Sequence, residues 1–508
     1  MTVAVGGSLT LEDVAGVADG AEVTFPESAR DLVVRAREVV ERAVRSGDVV
    51  YGVTTGFGAL ANVRVDPENA STLQHGIVRS HATAVGPHLS VEEARAMLLL
   101  RAHVLALGHS GVRPELIELM VSMLNAGVIP AVPEQGSLGA SGDLAPLANL
   151  SLPIIGTGDV LADAGTEPAA DAFRRAGLEP LTLEAKEGLA LVNGTQGMTA
   201  IGALTAARLT SLVRTADVIA AMTIEAALGT DAPFDHRLER LRPHPGHAAS
   251  ASNLRLLLDG SPILASHRDS SHLVQDAYSL RCAPQVHGAT RDALAYARSA
   301  LEIEVNAVTD NPIVLVEDDA VVSGGNFHGQ PVAVALDGLA AATVGLASIS
   351  ERRLYRLLDP ALSNGLPAFL VPESGLNSGF MLVQYTAASL VSESKSLAHP
   401  ASVDSIPSSA GQEDHVSMGM TSARHARDVV ANAETVLALE TLGAVQALEL
   451  RAPLEPGGPT RAVAAAIREV APSFEADREF GPDIAAALRL VRSGALVEAA
   501  ESVVGPLR

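Results

Sequence analysis

From residue 197 onward the chain carries five long stretches of helical texture, at 197–228, 276–308, 330–358, 378–397 and 413–450. Several run well beyond the ~11 residues of an average helix, a length that favours helices laid along one another in a bundle. Composition points the same way. The chain is 47% hydrophobic yet 3% aromatic and has no Trp. Apolar bulk built on Ala, Leu and Val suits closely packed helices better than a β-sandwich. Loops such as Arg242-Pro-His-Pro-Gly246 and Thr309-Asp-Asn-Pro312 separate the stretches. The expected fold class is mainly α, a long-helix bundle core with a smaller mixed N-terminal region and short C-terminal helices. The expected regions are 1–196, 197–453 and 454–508.

The N-terminal region mixes signals. Glu22-Val-Thr-Phe25 and Val49-Val-Tyr-Gly-Val53 read as short β-like runs around a helix near 28–46. Ser90-Val-Glu-Glu93 is a capping box, and the helix it opens should stop at Gly108. Pro114 and Gly127 bracket another helix. Residues 157–184 carry the Gly, Asp and Pro of an irregular surface excursion, and the tail after Pro456-Gly-Gly-Pro459 breaks into short helices.

Several function classes are disfavoured. Net charge is −23 with no basic run, which argues against nucleic acid, whose binding rests on Lys and Arg neutralising phosphates. It argues equally against anionic membrane surfaces. The apolar stretch 331–350 contains Asp337 and two glycines, so it reads as a helix buried among helices and not as a membrane span. Cys282 stands alone. No intramolecular disulfide is possible, a reducing compartment is the default, and a small buried side chain is favoured over a nucleophile or metal ligand. The first residues show neither a basic flank nor a long apolar core, so no signal peptide is expected and the location expected is cytoplasmic.

The stretch Gly136-Ser-Leu-Gly-Ala140-Ser141-Gly142-Asp143-Leu-Ala-Pro146-Leu147 carries the most chemistry. Nothing in Ala140-Ser141-Gly142 blocks a tight inward bend. If the Gly142 nitrogen reaches the Ala140 carbonyl carbon, a five-membered ring closes. Loss of one water from that ring and of the Ser141 hydroxyl as a second leaves a methylidene conjugated to an imidazolone. Glycine lets the amide approach without a Cβ and tolerates strained angles. Serine supplies a β-hydroxyl that can leave, and alanine keeps the carbonyl uncrowded. Asp143 onward reads as a helix start, with Pro146 tolerable in its first turn.

Other blocks hold polar groups in apolar company. Tyr51-Gly-Val-Thr-Thr-Gly-Phe-Gly58 places a tyrosine on a glycine-rich segment; Gly56-Phe-Gly58-Ala-Leu-Ala61 also matches a dinucleotide fingerprint, but no helix and acid-tipped strand follow it as a Rossmann unit requires. His81 ends an amphipathic run. Asn193 directly follows Leu189-Ala-Leu-Val, and a buried amide needs partners. Gln275, Tyr278 and Arg281 stand at i, i+3 and i+6, the first two on one helical face. Phe327 sits in Gly324-Gly-Asn-Phe-His-Gly-Gln330, where His328 has no neighbouring ligand of metal-binding spacing. Gly411-Gln-Glu413-Asp414-His-Val-Ser-Met418 opens the last long helix with two acids, which suit its dipole.

Together these blocks, running from Tyr51 to Met418, closely resemble the aromatic amino acid ammonia-lyase family. The resemblance implies a methylidene-imidazolone prosthetic group formed from Ala140, Ser141 and Gly142, with no external cofactor and no metal. It implies Tyr51 as the base that takes the substrate's β-proton, a role needing help because a phenol of pKa ~10 is a weak base at neutral pH; Arg281 is a candidate helper. Asn193 would hydrogen-bond the prosthetic ring and substrate amine, and Arg281 would clamp the carboxylate. Tyr278 would be catalytic and Gln275 substrate-binding, both beside Arg281. His81 and Glu413 would face the substrate ring, and Phe327 would wall it. The small-molecule partner expected is L-histidine, deaminated to trans-urocanate and ammonia, because tyrosine and phenylalanine enzymes of the family carry Gln-Asp-Val or Gln-Asp-Ala where this chain has Gln412-Glu413-Asp414. Glu413 can accept an imidazole N–H, whereas against a phenyl ring its charge would be unpaired. The alternative is a tyrosine or phenylalanine lyase or aminomutase of the same family. Gly411 departs from the family's common asparagine, with little consequence expected. A homotetramer is expected, since the long apolar helices exceed what one chain readily covers and the family draws each active site from more than one subunit.

Overall fold

The computed structural model describes residues 2–46, 49–60, 62–270 and 274–508. Met1, and Ala61 of the glycine-rich match, lie outside them. Among the described residues the chain is mainly α, as expected: 20 α-helices, and four sheets of two short strands each. Contacts group it into two units. The first comprises Met1–Ala207, Ala297–Asp337 and Pro400–Arg424, and the second Arg208–Tyr296, Gly338–His399 and His425–Arg508. This is a grouping in space, whereas the regions expected from texture follow the chain.

In the first unit the Val91–Ala106 helix is buried on every side from Glu93 onward. Its capping box forms, Ser90 Oγ accepting the Glu93 amide at 3.2 Å and the Glu93 carboxylate accepting the Ser90 amide at 3.0 Å. Met97, Leu98, Leu99 and Leu100 are at most 1% exposed, and each contributes ~1.5–3 kcal/mol by leaving water. The Pro114–Asn125 helix starts and stops close to the expected punctuation. The 157–184 excursion is more ordered than expected. Asp159–Ala162 pairs antiparallel with Gly165–Pro168, and a short helix, Ala169–Ala176, follows.

Several expectations fail locally. The Val49–Val53 run is turned rather than extended, because the amides of Val53 and Thr54 both donate to the Val50 carbonyl and Gly52 takes φ +67°. The 276–308 stretch splits into Tyr278–Arg281 and Ala283–Glu304; Pro284 is tolerated only in a helix's first turn, so the long helix begins there. Gln275 therefore precedes the helix and shares no helical face with Tyr278. Cys282, at that break, is half-buried rather than buried. The last long helix begins at Gly419, not at 413, because Met418 takes φ +54°.

The second unit holds a buried charge cluster. Arg353 grips Glu440 through Nε and Nη2 at 2.6 and 2.8 Å, and its Nη1 lies 3.2 Å from His287 Nε2. A guanidinium only donates, so His287 accepts at Nε2, carries its proton on Nδ1 and donates that to Asp217 Oδ1 at 2.7 Å. Burial lowers the His287 pKa, which keeps the ring neutral. Arg291 completes the set on Asp217 Oδ2 at 2.7 Å. Two cations thus face two anions. Among the described residues Gln330–Leu358 is the one helix long and apolar enough to cross a membrane, and 61% of its most apolar window is buried within the protein, as in a core helix.

Candidate active site

Ala140-Ser141-Gly142 lies on the loop leading into the Leu144–Ser151 helix. Gly142 has φ +71°, and a Cβ there would stand 1.9 Å from the Gly194 carbonyl oxygen. No other residue satisfies both demands. Gly142 and Gly194 pair as an isolated parallel bridge, and the Asp143 amide donates to the Gly194 oxygen at 2.7 Å.

Asp143 occupies the expected cap position but does not cap its own helix. Its Oδ1 accepts from Ser137 Oγ at 2.7 Å and its Oδ2 from the Met198 amide at 2.8 Å. It thus serves the orphan amides at the start of a different helix, Gln196–Ala226. Desolvation pushes the carboxyl up to about 6, against the opposing bonds from Met198, Ser137 and Gly197.

Around the triad the polar groups converge. Ser141 Oγ donates to Glu413 Oε1 at 2.9 Å, and Ser408 Oγ donates to Glu413 Oε2 at 3.0 Å. The loop carrying them is strained: Ser409 and Ala410 have φ of +49° and +53°. Glu413 therefore projects from an irregular loop and not from the helix start expected. Asn193, just past the Glu187–Val192 helix, donates Nδ2 to the Ser141 carbonyl at 3.5 Å. Its Oδ1 is buried without a partner among the described residues. His81 ends the Ala70–His81 helix with Nδ1 3.0 Å from Ser80 Oγ. Burial lowers its pKa while Glu413 pulls the other way, so the ring is neutral at pH 7. The Tyr51 phenolic oxygen accepts the Gly58 amide at 3.0 Å.

Tyr51, His81, Ser141, Asn193 and Glu413 line one cavity of 520 Å³, within the range of small-molecule sites. A second recess of 240 Å³ shares His81, Ser141 and Glu413 and adds Ala140 and Gly142. All these residues belong to the first unit. Phe327 is in that unit too, half-buried, but outside the lining of either recess. Its neighbour His328 stacks on His415, ring centroids 5.8 Å apart. Gln275, Tyr278 and Arg281 belong to the second unit. There the Arg281 guanidinium lies 4.7 Å over the Tyr278 ring, and Tyr278 is 71% exposed.

The residues missed by reading the sequence are Ser408, which orients Glu413, and Arg101, whose Nη1 donates to the Asn193 carbonyl at 2.7 Å. Arg101 left a signal, a single charge inside the apolar run Met97-Leu-Leu-Leu-Arg101-Ala. Ser408 left none.

A family model described as aromatic amino acid lyase matches residues 9–469. The histidine ammonia-lyase of Symbiobacterium thermophilum is 54% identical over 506 residues, 99% of each chain. Among solved structures, histidine ammonia-lyase from Trypanosoma cruzi aligns with a TM-score of 0.92 at 43% identity, covering 99% of this chain and 96% of that one. A tyrosine aminomutase from Streptomyces globisporus aligns with a TM-score of 0.94 at 39% identity, covering 100% of both. Backbone shape alone does not separate these two kinds of relative.

Proposed function

The chain belongs to the aromatic amino acid lyase family, and from that premise we propose that it deaminates L-histidine without oxidation, giving trans-urocanate and ammonia. The observation that carries the substrate is the Glu413 carboxylate set 2.9 Å from Ser141 Oγ, where it can accept an imidazole N–H. Neutral His81 across the same cavity is an adaptable second partner for the ring.

The triad fits a methylidene-imidazolone formed in place. Its residues are small, Gly142 has the φ and the close approach only glycine allows, and the unpartnered Asn193 Oδ1 awaits a donor. In forming it, the Gly142 nitrogen bonds to the Ala140 carbonyl carbon, whose oxygen leaves as one water, and the Ser141 hydroxyl leaves as the second. The group supplies an electrophilic carbon that makes the substrate's amine a better leaving group. Tyr51 takes the β-proton, and the Gly58 N–H donating to its oxygen fixes where that oxygen stands. Asn193 holds the substrate amine. Water loss removes Ser141 Oγ from Glu413 Oε1 and frees that oxygen for the imidazole, while Ser408 keeps the carboxylate in place.

The carboxylate of the substrate falls to Arg281 as a bidentate donor, with Gln275 and Tyr278 beside it and Phe327 as a ring wall. We propose a homotetramer in which these residues serve a partner chain's site. The 71% exposure of Tyr278 and the exposed Leu382 and Tyr385 support that reading, and light scattering showing an active monomer would contradict it. A cytoplasmic location accords with the lone cysteine and is checked by fractionation. The central experiment is ammonia release from histidine, tyrosine and phenylalanine. Histidine should be turned over fastest; faster turnover of tyrosine or phenylalanine would overturn the substrate assignment and leave the triad chemistry standing.

A further inference from the structure

Arg101 is fully buried in the core of the first unit, where a guanidinium is disfavoured unless its bonds are well spent. Its Nη1 donates to the Asn193 carbonyl at 2.7 Å and to Gln196 Oε1 at 2.9 Å, while Nε and Nη2 make no hydrogen bond among the described residues. Burial pushes its pKa down to about 10, with Asp310 opposing, so it remains charged at neutral pH. Asp310 itself is held by Lys186 at 2.7 Å. The directed bonds of this buried cation therefore go to a single turn, 193–196.

That turn is the backing of the triad. Gly194 has φ +153°, and a Cβ on it would lie 2.7 Å from Arg101 Nη1 and 2.3 Å from Gln196 Oε1. Glycine is what lets the arginine close over the backbone. The far side of Gly194 offers its carbonyl to the Asp143 amide and pairs with Gly142. The Gln196 amide is fixed from both ends, its Oε1 on Arg101 and its Nε2 on Thr309 Oγ1 at 2.7 Å.

We propose that Arg101 is a positioning residue, acting through Asn193 and Gly194, for both closure of the Ala140-Ser141-Gly142 ring and the deamination that follows. Its guanidinium holds the 193–196 turn so that Gly194 backs Gly142 while the Asn193 amide faces Ser141. Arg101 touches neither substrate nor reacting atoms. The inference rests on the reading of the triad given above.

The test uses the full-length protein as wild type, Arg101→Gln, Arg101→Lys and Gln196→Met. Helix content and cooperative unfolding check the fold. Intact mass followed over time reads the loss of two waters, and KM and kcat are measured per processed site. Arg101→Gln should lose water more slowly by on the order of tenfold to a hundredfold, the scale set by small misplacements of reacting groups. Its kcat per processed site should fall by a similar factor with KM little changed. Arg101→Lys should recover part of both, since an ammonium can serve one of the two acceptors. Gln196→Met should show a milder defect of the same kind. A folded Arg101→Gln that matures at the wild-type rate and keeps its kcat would overturn the inference. If that variant does not fold, Arg101→Lys and Gln196→Met decide: slowed water loss in both supports it, wild-type rates in both overturn it. A wild-type chain of full encoded mass would sink the triad reading along with this one, whereas normal wild-type processing with unaffected variants sinks this one alone.

Discussion

Replacing Glu413 separates substrate recognition from everything else in the site. Its Oε2 is engaged by Ser408 Oγ at 3.0 Å, and its Oε1 faces the triad. In Glu413→Gln the amide nitrogen can turn toward Ser408, whose hydroxyl rotates to accept, leaving the amide oxygen toward the imidazole. Both contacts survive and only the charge is lost. A hydrogen bond to a charged group is worth ~1.5–3 kcal/mol and a neutral one ~0.5–1.5 kcal/mol. The difference of ~1–2 kcal/mol corresponds to roughly 5- to 30-fold in kcat/KM. Glu413→Leu removes the acceptor altogether and strands a buried imidazole N–H, adding ~1–3 kcal/mol. The total of ~2–5 kcal/mol corresponds to roughly thirtyfold to a few thousand-fold. Steady-state deamination of histidine gives the ratio, and intact mass must show two waters lost in each variant, because Ser141 touches Glu413 before maturation. Glu413→Leu should also narrow the preference for histidine over phenylalanine. A processed Glu413→Leu enzyme with wild-type kcat/KM on histidine would refute the reasoning.

Three further outcomes are expected. Wild-type protein should weigh less than its encoded sequence by two waters, while Ser141→Ala keeps its full encoded mass and loses activity; mass spectrometry decides. Gly142→Ala places a Cβ 1.9 Å from the Gly194 oxygen at φ +71°, so it should stay unprocessed or be processed very slowly, again read by mass. Asp143 gives a pH dependence. Its folded pKa is raised from 3.8 to about 6, so the native state holds the proton more tightly and stability falls as pH rises through that window. About two pKa units correspond to ~3 kcal/mol, and Asp143→Asn should flatten denaturant-derived stability between pH 4 and 6 by up to that amount. An unchanged slope would remove Asp143 as its source.

Local chemistry was legible where cause and effect lie close together in the chain. The Ser90 capping box, the start of Pro114–Asn125 and both ends of Gln330–Leu358 follow from residues within a turn of the boundary. The split at Pro284 was equally available. The start at Gly419 was not, since nothing about Met418 announces a positive φ. In the candidate site, the proposed triad rests on three neighbours in the chain, since the ring closure proposed for it is itself local. What supports it could not. Arg101 and Asn193 are 92 residues apart, Lys186 and Asp310 are 124 apart, and Asp143 serves a helix 55 residues on. Such partners meet only after the chain has folded.

The buried set of Asp217, His287, Arg291, Arg353 and Glu440 limits how this chain can change over generations. Arg353 and Glu440 are fully buried and grip each other through two contacts, so replacing either alone leaves a stranded ion, a loss of ~3–5 kcal/mol from a margin of ~5–15 kcal/mol. Exchanging the whole group for well-packed apolar residues can be neutral, but every single-step route to that end passes through a chain near the edge of unfolding. Arg353 and Glu440 can therefore be replaced together more readily than one at a time. The second unit is held near its present chemistry less by what the cluster does than by the depth of the valley around it.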